Sequence, residues 1–214
     1  PQISQLGPSA AIIKKSVWGD SIAGMPPEPW PEKMKNSFNA CLVASCRLEV
    51  VNSGICGIAA ADAKNNFQRD VAVHQPDLVI IQFGFNDMRY CGRRKNLPIS
   101  TVEEFQKHIF EMIEMCKRIG AEVLVLTNHR VVSFLVLPSQ LTRGESVEHY
   151  NQASIAAARQ ANVEYIDIQQ IDISPLTGKE LVVADGVHLS DWGKMVYSHN
   201  VANRVLQIIR RRGL

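Results

Sequence analysis

Along the chain, short β-branched and apolar runs alternate with longer stretches in which apolar residues return every three or four positions. That is the pattern of an α/β domain built on a parallel sheet. Five strands are predicted, at Ala11 to Trp18, Leu48 to Val51, Asp77 to Phe83, Glu122 to Thr127 and Glu164 to Ile168. The third contains Leu78-Val79-Ile80-Ile81. An unbroken apolar run of this kind suits a strand covered on both faces.

Helices are predicted between the strands at about Trp30 to Ser45, Ile58 to His74, Thr101 to Ile119 and Glu145 to Ala161, with a last one from Ser190 to Arg211. Ser100 and Thr101 stand ahead of Glu103 and Glu104 as a capping box, and Gly120 supplies a left-handed stop. In the final helix Val201, Val205, Ile208 and Ile209 recur at helical spacing and mark a core stripe. Met25 to Pro31, Met88 to Pro98 and Arg130 to Gly144 read as loops on one face. With no internal repeat or linker, residues 1–214 are expected to form a single domain.

In an open parallel sheet a site lies beyond the carboxyl ends of the strands, so the residues directly after each strand carry the candidate chemistry. The first strand runs into Gly19-Asp20-Ser21-Ile22, which sets a serine hydroxyl at a strand-to-helix turn. Taken alone, Gly-Asp-Ser is also an ordinary turn and helix cap. The second strand ends in Asn52-Ser53-Gly54-Ile55-Cys56-Gly57 and the third in Gly84-Phe85-Asn86-Asp87. A glycine lets a backbone N–H approach a substrate oxygen closely, and a side-chain amide can donate to the same oxygen. Before the last helix stands Asp185-Gly186-Val187-His188, a spacing that lets a carboxylate reach the imidazole Nδ1 while Nε2 faces outward.

In this order and at these positions the four motifs resemble the blocks of the SGNH (GDSL) hydrolase family, from Gly19 to His188. The resemblance implies a three-layer α/β/α, flavodoxin-like fold with a five-stranded parallel sheet in the order 2-1-3-4-5. It further implies a serine esterase with Ser21 as nucleophile, His188 as base and Asp185 as its orienting partner. The oxyanion hole would comprise Ser21, Gly57 and Asn86, with Gly54 the less favoured alternative to Gly57. No metal or organic cofactor is implied. The substrate expected is a small-molecule or carbohydrate ester, an acetylated sugar or short-chain acyl ester. Two alternatives stay open: an O-acyltransferase using the same acyl-enzyme, and a non-catalytic carbohydrate- or partner-binding module on the same fold. Phe85 and Leu189 depart from common family residues without removing a reactive atom, and Lys14 with Lys15 makes the first strand unusually polar.

Composition narrows the partners. A net charge of +2 and a pI near 8.4 do not point to nucleic acid, and Arg210 to Arg212 suit the negative end of a helix. No stretch has the apolar length to span a bilayer. Neither a P-loop nor a dinucleotide-binding glycine motif is present, nor the Gly-x-Ser-x-Gly elbow of other serine hydrolases. The five cysteines show no zinc-like spacing, and Cys41, Cys46 and Cys116 fall in helix-like segments as small apolar residues. Free thiols lean toward a reducing, cytoplasmic setting. Because the chain opens on Pro1 without a visible signal peptide, a removed leader or a larger parent protein stays open.

Overall fold

In the computed structural model, which describes residues 11–41, 46–91, 96–131, 135–171 and 180–212, the strands form one parallel sheet. They are β1 (Ala11–Gly19), β2 (Cys46–Asn52), β3 (Leu78–Gln82), β4 (Glu122–Leu126) and β5 (Glu164–Ile166). Their order is β2-β1-β3-β4-β5, the doubly wound arrangement expected. The helices are α1 (Ser21–Gly24), α2 (Trp30–Cys41), α3 (Ala60–Asn65), α4 (Phe67–Asp70), α5 (Val102–Arg118), α6 (Arg143–Gln160) and α7 (Asp191–Arg212). Helices α2 and α7 pack together on one side of the sheet, and α3, α5 and α6 together on the other.

The sheet is the core because its centre is apolar on both faces. Leu78, Val79, Ile80 and Ile81 of β3 are all buried, each contributing roughly 1.5–3 kcal/mol of burial free energy. Trp18 lies 5.5 Å from the Phe67 ring and 6.1 Å from that of Phe83. Val201, Val205, Ile208 and Ile209 of α7 are buried, as their spacing predicts. Lys15 is also fully buried, its Nζ 5.8 Å from the centre of the Phe38 ring. The polarity of β1 therefore does not break the core: the lysine stem packs as hydrocarbon and its ammonium faces an aromatic. Among the described residues, no helix is long and apolar enough to cross a membrane.

Several predicted boundaries move for local reasons. The helix expected from Ile58 to His74 is two short helices and a 3-10 turn at Ala72–His74. Its start is set from outside, by the Asp87 carboxylate accepting from Ala60 N–H at 3.0 Å, and its break at Asn66 places Phe67 against Trp18. Helix α6 begins two residues early because Thr142 and Glu145 form a reciprocal capping box. The predicted box on α5 is Thr101 with Glu104, and Gly120 has φ +82 as a stop requires. Strand β5 is cut short where Thr127 Oγ1 donates to Asp167 and accepts from Ile168 N–H, turning the chain into a 3-10 helix. Cys46 opens β2 instead of lying in a helix. In the segment expected as a loop from Arg130 to Gly144, residues 132–134 lie outside the described residues, and Leu135 and Val136 are more than half exposed.

Candidate active site

The sheet order puts the ends of β2 and β3 on either side of the end of β1, where Ser21 begins α1. Beyond the paired strands the β2 loop stays laced to β1: Ser53 N–H donates to Val17 O at 2.8 Å and Ile55 N–H to Gly19 O at 3.0 Å. The loop also touches α1. A Cβ on Gly24 would fall 2.5 Å from Gly54 O, and one on Gly54 would fall 2.6 Å from Gly24 N, so the two backbones can meet only as glycines. Asn52 closes the contact, donating from Nδ2 to Ala23 O at 2.9 Å and accepting from Gly54 N–H at 3.0 Å.

Ser21 and the pair Asp185 and His188, separated by most of the chain, meet in one hydrogen-bonded line. His188 Nε2 lies 3.1 Å from Ser21 Oγ, and its Nδ1 lies 2.6 Å from Asp185 Oδ2. A carboxylate only accepts, so the proton sits on Nδ1 and Nε2 is left to accept from the serine hydroxyl. The other oxygen of Asp185 accepts from Val187 N–H at 2.8 Å and His188 N–H at 2.9 Å, which fixes the loop around the imidazole. Desolvation alone would raise this carboxyl. The hydrogen bonds from the His188 ring and from the two backbone N–H groups outweigh it and hold the group near 2, so it is charged throughout the working range.

The remaining predicted residues flank the serine. Ser21 is the first residue of α1, so its N–H has no partner within that helix. Asn86 is buried, its Oδ1 accepting from Arg89 at 3.3 Å while its Nδ2 has no hydrogen-bond partner among the described residues. A buried amide donor left open is costly unless a ligand oxygen completes it. Gly57 follows β2 with φ +81, a left-handed turn that suits glycine. Gly54, the alternative, already gives its N–H to Asn52.

Asp20 and Asp87 form the buried base of this site. Asp20 accepts from Ile22 N–H at 2.9 Å and caps the turn that carries Ser21. Asp87 holds Ala60 N–H and accepts from Ser100 Oγ at 3.1 Å. Burial pushes Asp20 up to about 7, with the neighbouring Asp87 charge adding to the shift, and pushes Asp87 up to about 6. A carboxyl raised on folding keeps its proton in the folded state after the unfolded chain has lost it. Stability from Asp20 is therefore full below about pH 4 and is lost as pH rises toward 7. We expect Asp20→Asn to flatten that fall, narrowing the difference in unfolding free energy between pH 4 and 8 by on the order of 3 kcal/mol. Urea titrations of both proteins at the two pH values test it, and an undiminished difference would refute it.

A second polar cluster was not marked by the four sequence motifs. His129, after β4, is fully buried. It joins Tyr197 of α7, at 2.7 Å from Nδ1, to the carbonyl of Val187, at 2.7 Å from Nε2. The neighbouring Asn128 exchanges hydrogen bonds with Asn151, at 2.8 and 2.9 Å, and donates to Phe83 O at 2.7 Å. Position alone could have flagged the pair, since both follow the carboxyl end of a strand.

Comparison with known proteins bears on the family and the fold. A model of the GDSL-like Lipase/Acylhydrolase family matches residues 17–196. A lipase/acylhydrolase from Enterococcus faecalis superposes with a TM-score of 0.73 at 20% identity, covering 90% of this chain and 95% of that one. The acetylxylan esterase Axe2 from Geobacillus stearothermophilus gives 0.73 at 19% identity over 97% of both chains. These structural likenesses show a shared fold. In sequence, the uncharacterized lipoprotein YqeF of Bacillus subtilis (strain 168) is 30% identical over 80 residues, 37% of this chain and 32% of that protein. The match thus spans about a third of that relative.

Proposed function

Because the chain belongs to the GDSL-like lipase/acylhydrolase family of ester-hydrolysing serine hydrolases, we propose that it cleaves an acetylated carbohydrate or similar short-chain ester with Ser21, His188 and Asp185. The observation that carries the proposal is the unbroken line from Ser21 Oγ through the His188 ring to Asp185. The names of the structurally similar acetylxylan esterases support the substrate class.

In this mechanism Ser21 Oγ attacks the ester carbonyl carbon as its proton passes to His188 Nε2. The carbonyl oxygen becomes an oxyanion held by the N–H groups of Ser21 and Gly57 and by Asn86 Nδ2. Collapse breaks the ester C–O bond, and the alcohol leaves with the proton from His188. Water then repeats the sequence on the acyl-enzyme: His188 takes its proton, the carboxylic acid departs, and the proton returns to Ser21. Asp185 holds the ring tautomer and stabilises the imidazolium without taking the proton.

The test of the oxyanion assignment is Asn86→Ala. Losing one preorganised donor lowers turnover by roughly 10²-fold or more, while KM changes little because the donor acts mainly in the transition state. Steady-state kinetics on p-nitrophenyl acetate and on an acetylated xylo-oligosaccharide measure both constants. An unchanged kcat would remove Asn86 from the site.

A further inference from the structure

We propose that His129 is a positioning residue for the catalytic base, a neutral clip that sets His188 against Ser21; this rests on the site described above. His129 lies between two elements that chemistry must hold in register. On one side its ring centre is 5.2 Å from that of Phe85, the residue before Asn86. On the other its Nε2 is 2.7 Å from the carbonyl oxygen of Val187, the residue before His188. One buried ring thus touches the backbone neighbours of both an oxyanion donor and the base.

The two ring contacts set its tautomer. A carbonyl only accepts, so Nε2 carries a proton and donates to Val187. Nδ1 faces the Tyr197 hydroxyl at 2.7 Å. That hydroxyl oxygen already accepts from His129 backbone N–H at 3.2 Å and from Gln82 Nε2 at 3.5 Å, so its own proton is the one free to point at Nδ1. Burial raises the Tyr197 phenol well above its ordinary range and keeps that proton in place. The chain Gln82, Tyr197, His129, Val187 then runs one way, with each group donating to the next. It anchors the loop before α7 to β3 and β4, holding the carbonyl of the same Val187–His188 peptide whose N–H is held by Asp185.

The bond from His129 holds the peptide carbonyl directly before His188, so losing it would shift the imidazole without removing any group from the reaction. Misplacing a general acid–base by about an ångström costs roughly 10²-fold. The loss should depend on the leaving group, because p-nitrophenolate departs without a proton whereas an alkoxide must receive one from His188.

The experiment compares kcat/KM on p-nitrophenyl acetate and on ethyl acetate for the wild type, His129→Phe and Tyr197→Phe, each normalised to the fraction of protein titrated by a fluorophosphonate. His129→Phe keeps an aromatic ring beside Phe85 and loses both side-chain hydrogen bonds. The expected result is a loss of roughly 10-fold on the aryl ester and 10²-fold or more on the alkyl ester. Tyr197→Phe should show the same ordering with smaller factors, and it decides the matter alone where His129→Phe does not fold. Equal losses on both esters, or no loss on either, would overturn the positioning role. Ser21→Ala in the same assay separates the two levels: activity retained there sinks the site itself, whereas an inactive Ser21→Ala beside equal losses in the other variants sinks only the role of His129.

Discussion

Replacement of Ser21 by alanine is expected to lower ester hydrolysis by roughly 10⁵-fold or more while leaving the fold intact. The size follows from what is removed: without the hydroxyl there is no acyl-enzyme, and the donors and the base that remain act on a reaction with no nucleophile of their own. The fold survives because, among the described residues, the Ser21 side chain bonds only His188, and the turn is held by Asp20 and by backbone contacts. Turnover of p-nitrophenyl acetate measures the effect, and mass spectrometry of the wild type after fluorophosphonate treatment should place the adduct on Ser21. A variant retaining a tenth of the activity would transfer the chemistry to another residue.

The second large effect is expected from Asp185→Asn, roughly 10³- to 10⁴-fold in kcat. The carboxylate is about half exposed, so a surface ion pair with His188 would matter little to stability. Its importance lies in the proton it assigns. An asparagine presenting its N–H₂ to Nδ1 would draw the ring proton to Nε2, the atom that must accept from Ser21. An asparagine presenting its oxygen would keep the tautomer but lose the charge that stabilises the imidazolium. Thermal unfolding should barely change while kcat collapses. A fall in melting temperature that accounts for the lost activity would instead make Asp185 a structural anchor of its loop.

How much of this was legible in the sequence depends on how local each cause is. Leu78 to Ile81 announce a central strand because burial on both faces is written into consecutive residues, and Asp185 announces its pairing with His188 because three residues of spacing suffice. Thr101 with Glu104 is legible for the same reason. The helix expected at Ile58 to His74 fails because its start is governed by Asp87, which the sequence does not show to be adjacent. Likewise nothing in Gly24 or Gly54 separately says that their backbones meet, and only the fold reveals that His129 lies against both Phe85 and Val187. The candidate reactive groups were thus visible as residue types after strands. What holds them at working distances was not, since it consists of contacts between positions remote in sequence.

The contact between Gly24 and Gly54 has a consequence for how such an enzyme can diverge. With no side chain between them and Asn52 bonded across the seam, the turn that carries Ser21 and the loop leading to Gly57 are effectively one casting. Neither half can be reshaped alone, so a change of substrate cannot readily be achieved by resizing this wall. Segments not cast into it, such as residues 25–29 and the exposed Leu135 and Val136, can change without disturbing the seam. The turn that carries Ser21 is then braced by a seam that side chains cannot enter, while the exposed segments around it carry no such constraint.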